Sequence, residues 1–259
     1  MSLPLEDTFS DILQKAARCL GRHQPLPPPL DAGVWDPEVA QALCPELGLS
    51  FPALAALAEG RWHPAPAHLP DGLAVFTTPF ADMTVNAYLA WDPDTREAAA
   101  FDTGGDATAM LEEIERRQLT LRFLFLTHTH GDHLFDADRV LEKTGCRFLA
   151  PEAEPLAGAE TIRPGETFPV GGLHIEARST PGHSPGGTTF ILHGLRSPVA
   201  MVGDAIFAGS VGGIRTDPAH ALLTIRREIL SRQDNTILCP GHGPLTTVGE
   251  ERLHNPFFV

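Results

Sequence analysis

The stretch Thr127–His133, T-H-T-H-G-D-H, decides how this chain folds and which chemistry it carries. Three imidazoles and a carboxylate fall within six residues, directly after an apolar, strand-like run. Side chains two apart on an extended backbone point the same way, so His128 and His130 are predicted to grip one metal ion. Asp132 and His133, in the turn beyond the strand, are predicted to face a second ion.

The same arrangement occurs three more times along the chain. A strand-like run is followed each time by a Gly- or Pro-bearing turn with a ligand-type residue: His183, Asp204 and His242. If these strand ends converge on one rim of two layered sheets, five His and two Asp side chains come together. That set suffices for two divalent ions sharing a bridging carboxylate. Zinc is the expected metal, with iron or manganese as alternatives.

Size, charge and cysteine spacing limit the classes of function. The 259 residues suffice for one large domain, or for a large and a small one. A net charge of -14 repels nucleic acid and acidic membrane surfaces, so neither is an expected partner. The four Cys lie far apart and the first residues lack a signal peptide, which predicts a cytoplasmic protein.

Residues 1–70 differ in composition from residues 71–259, and we predict a boundary there. Helical spacing predicts an amphipathic helix over residues 5–20, closed by Gly21, and two short helices over 37–43 and 52–58. The pair resembles a helix-turn-helix, but its acidic residues are not balanced by Lys or Arg before Arg61, which argues against DNA binding. We expect a helical cap or an oligomerisation element, with a homodimer as the possible assembly and a substrate-site wall as the alternative role.

Residues 71–259 have the mixed pattern of a layered α/β domain. Strands are predicted over 72–79, 85–92, 97–104, 121–127, several short stretches of 147–193, the run ending at Asp204, and 236–240; helices over 107–117, 134–143 and 218–230; a short tail follows. Because the helices fall between groups of strands, two sheets with helices outside fit better than a single barrel.

Four motifs carry a resemblance to a known family. T-H-T-H-G-D-H, T-P-G-H-S-P-G-G, G-D-A-I-F-A-G and P-G-H-G-P, in that order, resemble the metallo-β-lactamase-fold hydrolases, in the glyoxalase II-like (hydroxyacylglutathione hydrolase-like) branch. The resemblance implies a four-layer αββα sandwich, here with a small N-terminal helical extension. It also implies the metal ligands: His128, His130 and His183 for the first ion, Asp132, His133 and His242 for the second, and Asp204 as the bridge.

The chain departs from glyoxalase II in ways that bear on its substrate. The sequence ends soon after His242, where glyoxalase II has a helical extension with glutathione-binding basic residues, so glutathione recognition is left open. Arg215, displaced by an insertion in G-G-I-R-T-D, is a candidate contact for an anion. Antibiotic-cleaving members commonly carry Cys or a further His in place of Asp204, which disfavours β-lactamase activity.

The expected reaction is hydrolysis of a small thioester or related acyl ester. A water shared by two metal ions loses a proton near neutral pH, and Asp132 is the residue expected to orient the resulting hydroxide and accept its proton. A thiolate leaving group, with a conjugate-acid pKa of about 8.5, needs no general acid. Asp102 is predicted either to accept the outer N–H of a ligating imidazole or to stabilise its own turn. No organic cofactor is predicted.

Three other functions compete with this one. The resemblance extends to persulfide dioxygenases, in which His128, His183 and Asp204 would hold one Fe(II). A lactone hydrolase would use the same metals, but the only tyrosine, Tyr88, lies in a predicted strand. A non-catalytic metal-bound scaffold is the third.

The remaining histidines are predicted to be ordinary surface or packing residues: His23, His63, His68, His174, His193, His220 and His254.

Overall fold

The computed structural model describes residues 3–22, 24–65 and 68–259, and these form twelve strands and eight α-helices. The helices are α1 (Phe9–Cys19), α2 (Pro37–Leu47), α3 (Phe51–Ala58), α4 (Thr108–Arg117), α5 (Gly131–Leu134), α6 (Ala137–Thr144), α7 (Pro218–Glu228) and α8 (Val248–His254). The strands are β1 (Leu73–Phe80), β2 (Met83–Trp91), β3 (Glu97–Phe101), β4 (Thr120–Phe125), β5 (Arg147–Pro151), β6 (Glu160–Ile162), β7 (Thr167–Val170), β8 (Leu173–Ser179), β9 (Thr188–His193), β10 (Val199–Gly203), β11 (Ile237–Pro240) and β12 (Thr246–Thr247). Among these described helices, none has the length and apolar character needed to cross a bilayer.

The strands form two six-stranded sheets. The order is β1-β2-β3-β4-β5-β6 in the first sheet and β12-β11-β10-β9-β8-β7 in the second. Strands β3 to β6 run parallel and β10 is parallel to β11, whereas the other neighbours are antiparallel. The ends of β4, β8, β10 and β11 thereby carry the ligand-type residues.

Three apolar layers separate four layers of secondary structure. The layer between the sheets contains the stacked and tilted rings of Phe101, Phe125 and Phe190, whose centroids lie 5.0–5.4 Å apart. The outer face of the first sheet packs against α4 and α6, and the outer face of the second against α7 and α8. Side chains alternate along β2 between the two faces, as a strand buried on both sides requires. The predicted αββα sandwich is confirmed.

The N-terminal helices pack on the second sheet. Leu13 of α1 and Leu54 of α3 belong to one apolar cluster with Val202 and Leu238 of β10 and β11. Helix α1 begins at a capping box between Thr8 and Asp11. The segment therefore shares its core with the strands that lead to Asp204 and His242, and its role as an oligomerisation element stays a prediction.

Several predicted boundaries were wrong. The first helix begins at Phe9 rather than at residue 5. Helix α2 continues past residue 43 to Leu47, because Leu47 is buried and Gly48, with φ 68°, supplies the left-handed cap. The helix predicted over 134–143 is two helices, since Asp136 ends the first run by accepting a hydrogen bond from Ala107 N (2.7 Å). Residues 131–134, predicted as a turn, form helix α5.

The C-terminal tail is also more ordered than predicted, because it forms β12 and α8 around a buried carboxylate. Glu251 accepts hydrogen bonds from Gly209 N (2.9 Å), Thr246 Oγ1 (2.7 Å) and Asn255 Nδ2 (2.8 Å). Burial raises the pKa of the Glu251 carboxyl to about 7, although these hydrogen bonds act in the opposite direction. The network ties α8 to the loop that follows Asp204.

Leu13→Ala tests whether the N-terminal helices belong to the cooperative fold. Leu13 is fully buried, so the substitution should lower the free energy of unfolding by about 2–5 kcal/mol through lost burial and a residual cavity. Urea unfolding followed by fluorescence and circular dichroism measures the loss. Leu223→Ala is the matched control, because Leu223 is 60% exposed and should change stability by about 0.5 kcal/mol or less. Equal stability of the two variants would contradict the shared core.

Glu251→Gln should make stability less dependent on pH. A carboxyl whose pKa is raised on folding stabilises the protein at low pH, and that contribution is lost as the pH rises from 4.5 towards about 7. Glutamine stays neutral and can hydrogen-bond the same partners. The variant should therefore gain stability relative to the native protein, on the order of 3 kcal/mol, between pH 4.5 and 8. Parallel stability curves in urea unfolding across this range would contradict the argument.

Candidate metal centre

Four strand ends bring the seven predicted ligands to one place, which we call the metal-site rim. Strand β4 leads to His128 and His130, and helix α5 adds the next two ligands. Turns after β8, β10 and β11 supply the rest. The described residues contain three groups of possible metal ligands, and within each group the ligand atoms all lie within 4.8 Å of one another. The groups are His128, His130 and His183; His128, His133 and Asp204; and Asp132, His133 and His242.

The first trio consists of His128, His130 and His183. His183 Nε2 lies 2.9 Å from His130 Nδ1, and the His128 ring stands nearly perpendicular to both neighbouring rings. Asp204 Oδ2 lies 3.3 Å from His183 Nε2 and 3.9 Å from His128 Nε2. The trio and one carboxylate oxygen therefore surround a common point.

The second trio consists of Asp132, His133 and His242. Asp132 Oδ2 lies 3.4 Å from His133 Nε2 and 3.2 Å from His242 Nε2. Asp204 Oδ1 lies 3.4 Å from His133 Nε2, and its Oδ2 lies 3.5 Å from His242 Nε2. Asp204 thus faces both trios, as a bridging carboxylate would.

These distances fit divalent metal ions. Two ligand atoms 2.0–2.2 Å from a shared tetrahedral ion stand about 3.3–3.6 Å apart, close to the spacings between Asp132 or Asp204 and the imidazoles. Within the described chain, His128 Nε2, His133 Nε2 and Asp204 Oδ1 are buried at the rim without a hydrogen-bond partner. Buried polar atoms are rarely left unpaired, so these three atoms indicate ligands for a cation.

The outer nitrogens of three imidazoles are held in place. His242 Nδ1 donates to Thr84 O (2.6 Å), and His133 Nδ1 donates to Asp102 Oδ2 (2.8 Å). His128 Nδ1 lies 3.1 Å from Thr127 Oγ1, whose hydroxyl donates to Asp102 (2.8 Å). Each contact fixes the tautomer that turns Nε2 towards the rim. Asp102 thus holds two of the candidate ligand rings, that of His128 through Thr127, and its effect on metal affinity stays a prediction.

The charges at the metal-site rim also favour the binding of cations. Burial lowers the pKa of His128 to about 2, so this ring is neutral. Burial disfavours protonated His133 as well, but the Asp102 and Asp204 carboxylates outweigh it and raise the pKa to about 10. Asp132 and Asp204 likewise overcome burial and raise the pKa of His242 to about 11. The carboxylates thus retain protons on two rings, which metal ions would displace on binding.

Several residues that shape the rim escaped the sequence analysis. A Cβ atom at Gly241 would lie 2.2 Å from Asp204 Oδ1 and 2.6 Å from His133 Cε1, so only glycine fits there. The P-G-H-G-P turn was the available signal for it. Thr127 belongs to the T-H-T-H-G-D-H motif, but its link between Asp102 and His128 was not predicted. Thr84 carried no signal, because it acts through a backbone carbonyl 158 residues from its partner.

The remaining candidates lie around the rim or away from it. Arg215 is exposed, its backbone N–H donates to Gly182 O (2.8 Å), and its charge acts with burial to lower the pKa of His183. Six other histidines belong to none of the ligand groups among the described residues: His63, His68, His174, His193, His220 and His254. His23 lies outside the described residues.

Comparison with known proteins identifies the family. The family model "Metallo-beta-lactamase superfamily" matches residues 81–242. The hydroxyacylglutathione hydrolase GloC of Haemophilus influenzae is 33% identical over 204 residues, which cover 69% of this chain and 95% of the relative. The N-terminal helices lie outside the family match.

Two solved structures show the same fold at somewhat lower identity. BLEG-1 B3 metallo-beta-lactamase is 29% identical, with a TM-score of 0.59, and the alignment covers 72% of this chain and all of that one. TTHA1623 in a di-iron-bound form is 26% identical, with a TM-score of 0.56, over 71% of this chain and all of that one. Because the family match spans more than half of the sequence, this chain belongs to the metallo-beta-lactamase superfamily of metal-dependent hydrolases.

Proposed function

We propose that the protein hydrolyses a small thioester or related acyl ester at two divalent metal ions, with zinc as the expected metal. The observation that carries this proposal is the position of Asp204, which lies 3.3–3.5 Å from imidazole nitrogens of both trios. The di-iron form of the relative TTHA1623 supports two ions and leaves their identity open.

The residues at the rim have distinct roles in this proposal. Bound metal ions would supply a water of lowered pKa and a polarised substrate carbonyl. Asp204 is buried and serves only to hold the two sites together. Asp132 is 15% exposed. Burial acts to raise its pKa, but the hydrogen bond to His242 and the charge of His133 outweigh burial and lower the pKa to about 2. It is therefore ionised near neutral pH and can orient the attacking water and accept its proton.

Three observations support a thioester. A thiolate departs without a general acid, and among the described residues at the rim we assign none to that role. A relative that shares 33% of its residues is named a hydroxyacylglutathione hydrolase. Tyr88 is buried and its hydroxyl donates to Pro240 O (2.6 Å), so it does not support the lactone hydrolase alternative. Arg215 is our candidate contact for an anionic part of the substrate.

A mononuclear-iron persulfide dioxygenase is the second candidate. His128, His183 and Asp204 form a two-His, one-carboxylate group, with Asp204 Oδ2 3.9 and 3.3 Å from the two Nε2 atoms. Such groups suit non-haem Fe(II). The two functions differ in metal and in their need for oxygen. The cytoplasmic location and a homodimer stay predictions.

Metal analysis and hydrolysis together test the proposed function. Protein isolated without chelators should hold two divalent ions and cleave thioesters without oxygen. Asp132→Ala should lower kcat by about 10²–10⁴-fold, because the proton acceptor is lost, while the metal held by the first trio is retained in elemental analysis. Asp82→Ala, an exposed aspartate in the β1–β2 turn, is the control and should leave kcat unchanged.

Two outcomes would contradict the hydrolase proposal. A fully metal-loaded protein that cleaves no thioester, ester or lactone in a broad panel would remove it. Protein that retains one iron and consumes oxygen with a glutathione persulfide would establish the second candidate instead.

Asp102→Asn tests whether the hydrogen bond between Asp102 and His133 contributes to metal affinity. The substitution keeps the shape of Asp102 but removes the charge that holds the Nδ1 proton of His133. Metal affinity should fall by about 10–100-fold, as is typical for partners of ligating imidazoles. Competition with a chromophoric chelator measures the change. Asp94→Asn, in the exposed turn before β3, should leave the affinity as it is. Equal affinities for the two variants would show that Asp102 serves only its own turn.

A further inference from the structure

The segment that precedes α1 runs along the side of the metal-site rim that holds His242. A Cβ atom built on Gly243, the next residue, would lie 3.1 Å from Glu6 N and 3.3 Å from Glu6 Cβ. The backbone of Glu6 is therefore in contact with the ligand-bearing turn. Since the family match begins at residue 81, this contact comes from outside the matched part of the chain.

Buried polar contacts fix the segment at this place. Lys15 of α1 forms an ion pair with Asp7 and donates a hydrogen bond to Val211 O (2.7 Å). The Lys15 and Asp7 side chains are only 12% and 9% exposed. Ser210 Oγ also donates to the Asp7 carboxylate. The residue next to Glu6 is thus attached to the loop that follows Asp204.

The ring of Phe207 links the same helix to the metal-site rim. The Lys15 ammonium lies 5.1 Å from the centre of this ring, and the ring meets His242 edge-on at 5.8 Å between centroids. Phe207 thus lies between Lys15 of α1 and His242 of the second trio. Arg215 lies on the side of the first trio, because its backbone N–H donates to Gly182 O (2.8 Å), next to His183.

Glu6 is the carboxylate of this segment that has no ion-pair partner among the described residues. Lys15 neutralises Asp7, whereas among residues 3–22, 24–65 and 68–259 no Lys, Arg or His nitrogen lies within ion-pair distance of the Glu6 carboxylate. Burial raises the pKa of Glu6, Asp7 and Asp204 act in the same direction, and His242 and Lys15 lower it. The position of Glu6 follows from its backbone N and Cβ, which lie beside Gly243, the residue after His242. A negative charge there attracts cations and repels anions.

We propose that Glu6 is a specificity-determining residue that favours acyl substrates carrying a positively charged amine over anionic ones. The inference rests on the proposed hydrolase function and names the substrate class of the same site. The N-terminal segment thereby contributes a wall of the substrate site in addition to its packing on the second sheet. Arg215, beside the first trio, gives the rim opposite charges at its two sides.

Thioesters that differ only in charge test this proposal. One series carries an ammonium, an acetamide or a carboxylate on the thiol, and a second series carries the same groups on the acyl part. The native protein should have a higher kcat/KM for the ammonium compound than for the carboxylate compound. Glu6→Gln should reduce that ratio by about ten-fold, and Glu6→Lys should reverse it, while the neutral compound changes by less than about two-fold.

A matched control separates the local charge of Glu6 from the net charge of the protein. Glu112→Gln removes one exposed carboxylate from α4, on the outer face of the other sheet, and should leave the ratio unchanged. Metal content and circular dichroism of each variant confirm that the rim and the fold are retained.

Binding of non-hydrolysable thioethers keeps this proposal distinguishable from the hydrolase function. Calorimetry with the ammonium and carboxylate thioethers gives a ratio of Kd values that needs no turnover. If no thioester is cleaved but Glu6→Gln still removes the binding preference, the function fails and the role of Glu6 stands. If native protein and Glu6→Gln show the same charge preference in both series and in binding, the role of Glu6 is overturned.

Discussion

A buried carboxylate among four imidazoles is the constraint on which the rest of this structure depends. Asp204 is 7% exposed, and its oxygens lie 3.3–3.9 Å from four imidazole Nε2 atoms. An isolated carboxylate is costly to bury, so the position is stable only with positive charge around it. Protons on His133 and His242 provide positive charge, and divalent ions held by the two trios would provide more of it. The fold therefore places Asp204 where its carboxylate favours cations.

The two sheets must stay in register for this carboxylate to meet its partners. Asn86 of β2 donates to Pro240 O (3.1 Å) and Gly243 O (2.9 Å), and the Tyr88 hydroxyl also donates to Pro240 O. These contacts join the first sheet to the end of β11, directly beside His242. Asp102 performs the corresponding task within the first sheet, because it holds Thr127 and His133 together. Both sets of contacts are buried, so water cannot replace them.

The layers and the candidate ligands could be predicted from the sequence because both depend on short-range patterns. T-H-T-H-G-D-H and the three strand-to-turn junctions are local, and strand alternation is local as well. The break at Asp136 depends on Ala107, and the tautomer of His242 depends on the Thr84 carbonyl, which are contacts between distant parts of the chain. Residue patterns contain no signal for such pairs. The same holds for Glu6, which only the folded chain brings beside Gly243.

The N-terminal helices connect stability to chemistry. Their apolar side chains share a cluster with Val202 and Leu238, on the two strands that end at Asp204 and His242. A change in how α1 packs must therefore act on both ligands and on the Glu6 wall at once. A loop insertion could have altered the charge of the rim with less effect on the core. Helix α1 is part of the core, and Lys15 of this helix pairs with Asp7, so the segment that carries Glu6 is anchored to the core. A charge held that rigidly discriminates between substrates at small cost in conformational entropy.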